Sequence, residues 1–158
     1  YKRQVSESLN DGVFACRRPS AGTSYFYRWV NSSSTWSAIT TPAGVTMVGV
    51  KKVRFTRFNW GAPKIALTDG INPAAVYDGT TYTQITDSNA PNSPKYSAAF
   101  KNHLFLAGDT TDPYNLYVSS PLAETDFNPA NGAAVINVGF EIVQIKQFRD
   151  TLLSLIHI

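Results

Sequence analysis

Few residues in this 158-residue chain could do chemistry, and each also has a structural use. His103 sits between Asn102 and Leu104 in an apolar run, with no nucleophile and acid spaced around it as base catalysis requires. It reads as a half-buried or surface histidine on a strand. Ser119 and Ser120 precede Pro121 and lack the strand–turn–helix setting of a nucleophile elbow. Asp109 and Asp112 could share a calcium ion, which favours several oxygen ligands in a loop. The commoner use of such residues is a turn in which the carboxylate bonds its own backbone, and Asp11-Gly12, Asp69-Gly70 and Asp78-Gly79 read the same way. A glycosidase needs two carboxylates held across a pocket, and the acids here sit in turns. No catalytic residue, metal ligand or cofactor-binding residue is therefore assigned, and neither a small-molecule substrate nor enzyme activity is expected.

The remaining candidate is basic. Lys51, Lys52, Arg54 and Arg57 are interleaved with Phe55, Phe58 and Trp60, the mixture of cations and stacking rings that holds single-stranded nucleic acid. The same pattern describes a solvated edge strand whose aromatics face the core and whose lysines deter strand pairing. The charge balance favours the edge strand: 14 basic residues face 11 acidic ones. Lys2 and Arg3 belong to the opening Tyr1-Lys2-Arg3-Gln4, which resembles one strand of a sequencing-library transposon end read in frame. The closing Leu153-Ser154-Leu155-Ile156 resembles its reverse complement. On this reading residues 1–4 and 153–158 are adapter-encoded, residues 5–152 are a partial domain of a longer protein, and the pI near 9.0 is no argument for nucleic acid.

The elements that carry these residues are strands. Aromatics at 13% and charge at 16% suit a β-rich protein. The one cysteine, Cys16, excludes an intrachain disulfide and fits a cytosolic or virion setting. No run reaches the length of a transmembrane helix. Apolar runs at 12–16, 25–30, 35–40, 64–68, 74–77, 81–86, 103–107, 116–118 and 133–139 are each bounded by Gly, Pro, Asn or Asp. Asp78-Gly79 is the strongest hairpin signal, and a second hairpin turns through Gly108, Asp109, Asp112 and Pro113. Residues 45–60 form a long run whose alternation slips near Gly49 and Arg57, which predicts a loop or bulge. Residues 141–148 alternate as a strand, although Ile142, Ile145, Phe148 and Leu152 also stand at helical spacing.

A period emerges. Phe58, Phe100 and Phe148 each precede an apolar run, with 42 and 48 residues between successive copies. Trp36, Tyr82 and Phe127 mark outer strands 46 and 45 residues apart. Units of this length with three or four short strands and no helix are the mark of propeller blades. The fold expected is all-β: antiparallel blades of an incomplete β-propeller, about two to three of them. Phe58, Leu67, Val76, Leu104, Leu106, Leu116, Ile136 and Ile145 are expected to line the interfaces between blades.

The phrase FKNHLFLAGD from Phe100, then DPYNLYVS from Asp112, Asp126-Phe127, and Ile145 with FRDTL from Phe148 resembles tail tubular or nozzle proteins of short-tailed bacteriophages. It departs from them at His103, where arginine is commoner, and at 121–124, where a Gly-Asp-Pro turn is usual. The match is strong over the C-terminal third and looser over 59–86. The resemblance implies a propeller-bearing tail component of the virion, made in the host cytoplasm. Its partners would be identical subunits and neighbouring tail proteins, with transient passage of DNA. Two other classes compete. One is a carbohydrate-binding or sialidase-like propeller of bacterial origin, in which Tyr25, Tyr27 and Trp29 stack on sugar rings; the turn from Asp78 to Tyr82 resembles an Asp-box. The other is a kelch-like interaction scaffold.

Overall fold

The structure is a computed structural model that describes residues 3–4, 13–17, 25–30, 32–45, 47 and 52–156. Among the described residues there are fourteen strands and one short 3-10 turn at Pro129–Asn131. The first sheet holds β1 (Arg3–Gln4), β2 (Val13–Arg17), β3 (Tyr25–Val30) and β4 (Thr35–Ala38). The second holds β5 (Arg54–Asn59), β6 (Pro63–Thr68), β7 (Ala75–Tyr77) and β8 (Tyr82–Gln84). The third holds β9 (Tyr96–Phe100), β10 (His103–Ala107), β11 (Asn115–Val118) and β12 (Ala134–Asn137). A fourth sheet has two strands, β13 (Ile142–Phe148) and β14 (Thr151–Ile156). Each strand pairs antiparallel with its neighbour in sequence, so every sheet is a meander, and none closes into a barrel.

Local sequence explains the reversals. Lys101 (φ 44°) and Asn102 (φ 65°) form the two-residue link between β9 and β10, and Phe100 pairs directly with His103. Two positive φ values in such a loop match the right-handed twist of the strands it joins. Arg149 (φ 50°) begins the corresponding link that pairs Phe148 with Thr151. Ile142–Phe148 is thus a strand and not a helix, with a register irregularity between Ile142 and Gln144.

The sheets stack face to face in chain order, with an apolar seam between each successive pair. Phe14 and Phe26 meet Ile65, Leu67, Tyr77 and Tyr82 at the first seam. Phe58, Ala66 and Val76 meet Leu104, Leu106, Tyr117 and Phe127 at the second. Ala98, Ala107 and Leu116 meet Ile142 and Ile145 at the third. Strand β9 lies against β5 on one side and β13 on the other, so the opening strands of successive sheets come together. Fully burying one such Leu or Phe side chain contributes about 2 kcal/mol, which makes the seams the main source of stability.

Seven of the eight expected interface residues lie in these seams; the exception is Ile136, which is 48% exposed. It shares a face with Leu116, its cross-strand partner, toward the fourth sheet. That sheet has two strands, and β13 packs chiefly against β9 and β10, on the far side of the third sheet from β12. Ile136→Ser is accordingly expected to change stability by less than about 0.5 kcal/mol, whereas Leu116→Ala should cost about 2 kcal/mol or more in urea denaturation.

Other expectations need correction. The predicted irregularity at Arg57 is absent, because β5 pairs with β6 residue for residue from Arg54 to Asn59; the Gly49 position lies outside the described residues. Phe127 is buried at the second seam, but it belongs to the long connection between β11 and β12 and not to an outer strand. Three of the sheets have four strands, in keeping with the two to three units expected, and the fourth has two. Arg3–Gln4, expected to be adapter-encoded, pairs with Val13 and Phe14 as the opening strand of the first sheet.

Glycine is required at one seam by both conformation and space. Gly108 follows β10 at φ +72°, and a Cβ there would lie 2.7 Å from Cδ2 and Cε2 of Tyr96. Gly108→Ala should therefore cost about 2 kcal/mol, roughly 4–8 °C in Tm. Gly139→Ala is the control. It shares the positive φ (+78°) but meets nothing within 4 Å, so it should carry the conformational cost alone, about 1 kcal/mol.

Candidate functional site: the seams between sheets

The basic stretch does not form one groove. Arg54 and Arg57 differ by three positions on one strand, so they point to opposite faces of the second sheet. Arg54 turns toward the third sheet, where its Nη1 donates to the Lys95 carbonyl at 3.2 Å and its guanidinium lies 4.6 Å from the Tyr96 ring centroid. Lys52 and Arg57 are exposed, and Lys51 lies outside the described residues. The rings that would stack on bases are committed elsewhere. Phe55 packs on Phe26 at 5.7 Å, Phe58 is buried, and Trp60 lies 4.5 Å from Phe58. Each face of the sheet carries one of these arginines beside one phenylalanine that is packed into a seam, so no exposed surface joins the cations to free rings.

The polar residues near the second seam work as latches. Residues 93–97 run along its edge and receive bonds from the second sheet. The Thr68 hydroxyl and Arg54 both donate to the Lys95 carbonyl, Gly70 N donates to the Pro94 carbonyl, and the Thr56 hydroxyl donates to the Ser97 carbonyl at 2.9 Å. Farther out, Lys64 of β6 forms an ion pair with Glu124, whose side chain is 10% exposed. Asp87 closes the connection by accepting from Phe127 N at 2.9 Å.

Asp109 is 1% exposed and is the most deeply buried carboxylate of the set. Its Oδ2 accepts from Ser93 N at 2.7 Å, and its Oδ1 accepts from Thr111 N at 2.9 Å and the Thr111 hydroxyl at 2.7 Å. Burial pushes its pKa up, but these donors and the Asn92 amide outweigh burial and hold the carboxyl below its ordinary value. Asp69, at the end of β6, repeats the theme by accepting from the amides of Ile71 and Asn72 at 2.8 Å each. Asp112 instead accepts from the Tyr117 hydroxyl at 3.3 Å. Among the described residues no group of three or more His, Cys, Asp or Glu is placed to hold a metal ion.

His103 and Ser119 are equally occupied, whereas the buried Ser120 hydroxyl has no hydrogen-bond partner among the described residues. His103 Nδ1 lies 2.6 Å from the Ser119 carbonyl oxygen, which requires the proton on that nitrogen. The Ser119 hydroxyl is fully buried, accepts from Leu104 N and donates to the Ser120 carbonyl. Burial, reinforced by the Asp69 carboxylate, pushes the Cys16 thiol up to about 11, away from the range of a reactive thiolate. Sequence reasoning treated Asp109 as a turn former and missed Ser93, the partner that makes it a link between β10 and the segment entering the third sheet. A separation of 16 residues carried no local signal.

Fold and site together define an all-β stack of antiparallel meanders whose polar side chains bond mostly within their own turns, with a smaller set that crosses the second seam. Compared with models of protein families and with curated proteins, the chain matches none.

Proposed function

We propose that this chain is part of a tail tubular or nozzle-type structural protein of a short-tailed bacteriophage, acting by assembly in the virion and without a catalytic site of its own. The observation that carries the reading is where the phage-like phrase falls in the fold. Phe100 ends β9, Leu104 and Leu106 fill the second seam, Asp109 latches the turn, Tyr117 and Phe127 close the seam, and Phe148 leads into β14. The phrase is a packing phrase, suited to a scaffold. Face-to-face meanders whose opening strands come together support a propeller, since one sheet cannot bury both of its faces alone.

Partners on this reading are identical subunits and neighbouring tail proteins. DNA passing a ring of such subunits must not be held tightly. The exposed Lys52 and Arg57 offer weak, salt-sensitive contact, without rings to stack on bases. The carbohydrate-binding alternative keeps one supporting observation. Tyr27, Trp29 and Trp36 share the face of the first sheet opposite Phe26, with the two indoles 5.4 Å apart.

The test is to express the gene that encodes the chain, then measure assembly by mass photometry and electron microscopy and assay glycan cleavage. A ring-forming protein without hydrolase activity is expected. A monomer that cleaves glycans would sink the assembly reading.

A further inference from the structure

A second feature lies away from the β5 stretch, where the first and second sheets diverge. Strands β3 and β4 and the turn after β7 enclose a cleft of about 320 Å³. Arg28 and Ser37, directly paired across β3 and β4, form one wall, Ile39 and Thr40 continue it, and Tyr77, Gly79 and Thr80 form the other. This volume is within the range of small-molecule sites and holds a ligand of one sugar ring.

The electrostatics of the cleft are one-sided. Arg28 is half-buried, and its Nη1 donates to the Gly79 carbonyl at 2.9 Å. The Tyr77 hydroxyl donates to the same carbonyl at 2.7 Å, which holds the acceptor of the Arg28 bond in place. A guanidinium carries five N–H donors, and among the described residues this is the one hydrogen bond it makes. No lining residue is acidic. The nearest carboxylate of the turn, Asp78, is turned to its own backbone, accepting from the amides of Thr80 and Thr81 at 2.8 and 2.7 Å. A half-buried, oriented guanidinium with unused donors is matched best by a planar carboxylate, which it can hold through two parallel bonds. The hydroxyls of Ser37, Thr40 and Thr80 around it suit a ligand that carries hydroxyls of its own.

We propose that this cleft binds a small polyhydroxylated carboxylate, the size of one acidic sugar ring, with Arg28 as its anchor. The site is independent of the assembly reading: a phage scaffold and any other stack of meanders could each carry it, so failure of one leaves the other standing. Isothermal titration with D-glucuronate tests it, with D-glucose as the ring without a carboxylate and inorganic phosphate as an anion without a ring. Saturable binding of glucuronate is expected, with glucose and phosphate at least about tenfold weaker, the ratio that one charge-assisted hydrogen bond supplies. Arg28→Lys should weaken glucuronate by about tenfold, since an ammonium cannot form the paired bonds. Ser37→Ala, at an exposed position that leaves the Gly79 contact intact, should weaken it by roughly threefold. A melting curve for each variant shows that the fold is kept. No saturation by glucuronate, equal affinity for phosphate or glucose, or unchanged binding in both variants would overturn the proposal.

Discussion

Phe26→Ala is expected to lower the stability of this protein by about 3–5 kcal/mol, the range for truncating a well-packed buried Phe. Phe26 is 1% exposed and is the ring around which the first seam is built. It stacks on Phe14 at 5.4 Å and on Phe55 at 5.7 Å, and takes Tyr77 edge-on at 5.9 Å. Each such pair contributes about 0.5–1.5 kcal/mol beyond its buried area. Phe26→Leu keeps most of the volume and loses the ring geometry, so its cost should be nearer 1.5 kcal/mol. The location of the damage is a sharper expectation than its size. In a stack where each sheet touches only its neighbours, weakening one seam loosens one end first. Two of the three tryptophans, Trp29 and Trp36, are in the first sheet, and Trp60 packs at the second seam. In the variant, tryptophan fluorescence should therefore report unfolding at lower urea than the far-ultraviolet dichroism of the whole chain. Coincident transitions with a shift below about 1 kcal/mol would show that the first sheet does not depend on this seam.

The second large effect is expected at Asp109. Replacing it with alanine strands the amides of Ser93 and Thr111 and the Thr111 hydroxyl, and should cost about 3 kcal/mol or more at pH 7. Asp109→Asn keeps one accepting oxygen but turns its amide group against a donor, so its cost should be about 2 kcal/mol. The pH dependence separates charge from packing. The folded pKa of Asp109 is depressed, because hydrogen bonds to its oxygens outweigh the burial that would raise it. A depressed carboxylate stabilises the fold above its unfolded pKa, about 3.9, and that contribution is lost as pH falls through the lower folded value. The gap between the wild type and Asp109→Asn should thus be constant from pH 7 to 5 and shrink below about pH 4. Asp78 and Asp87 are lowered as well, led by amide donors from Thr81 and Asn89 respectively, so the asparagine variant keeps part of the acid sensitivity. Urea midpoints at pH 7, 5 and 3 measure the gap. A gap that widens in acid would show that the Asp109 charge is not what holds the Ser93 segment.

The period of the fold was legible in the residues themselves. Phe58, Phe100 and Phe148 each stand at or near the end of the opening strand of a sheet, and Trp36 and Tyr82 stand in the fourth strand of theirs. Such signals are local: a ring before a turn, Asp-Gly between two apolar runs, Pro and Gly between units. The all-β class, most strands and seven seam residues followed from them. Strand β9 was less visible, because Tyr96-Ser97-Ala98-Ala99-Phe100 has small residues where a strand pattern shows large ones. Its alanines are small because this strand is packed between β5 and β13.

What the sequence could not decide was the face to which each side chain turns. A sheet with one wet side alternates apolar and polar residues, but the second and third sheets are covered on both sides, and that alternation fades. Strand β6 is buried at four consecutive positions from Ile65 to Thr68, and all of β7 is buried. Only the stacking assigns Leu67 to the first seam and Ala66 to the second. Only stacking also leaves Ile136 open, turns Arg54 inward beside Tyr96, and brings Asp109 to Ser93. Composition and turn chemistry act over a few residues and set where strands begin and end. Burial on either face is a property of the neighbouring sheets, about a full repeat away in the chain, and exists only once those sheets have packed.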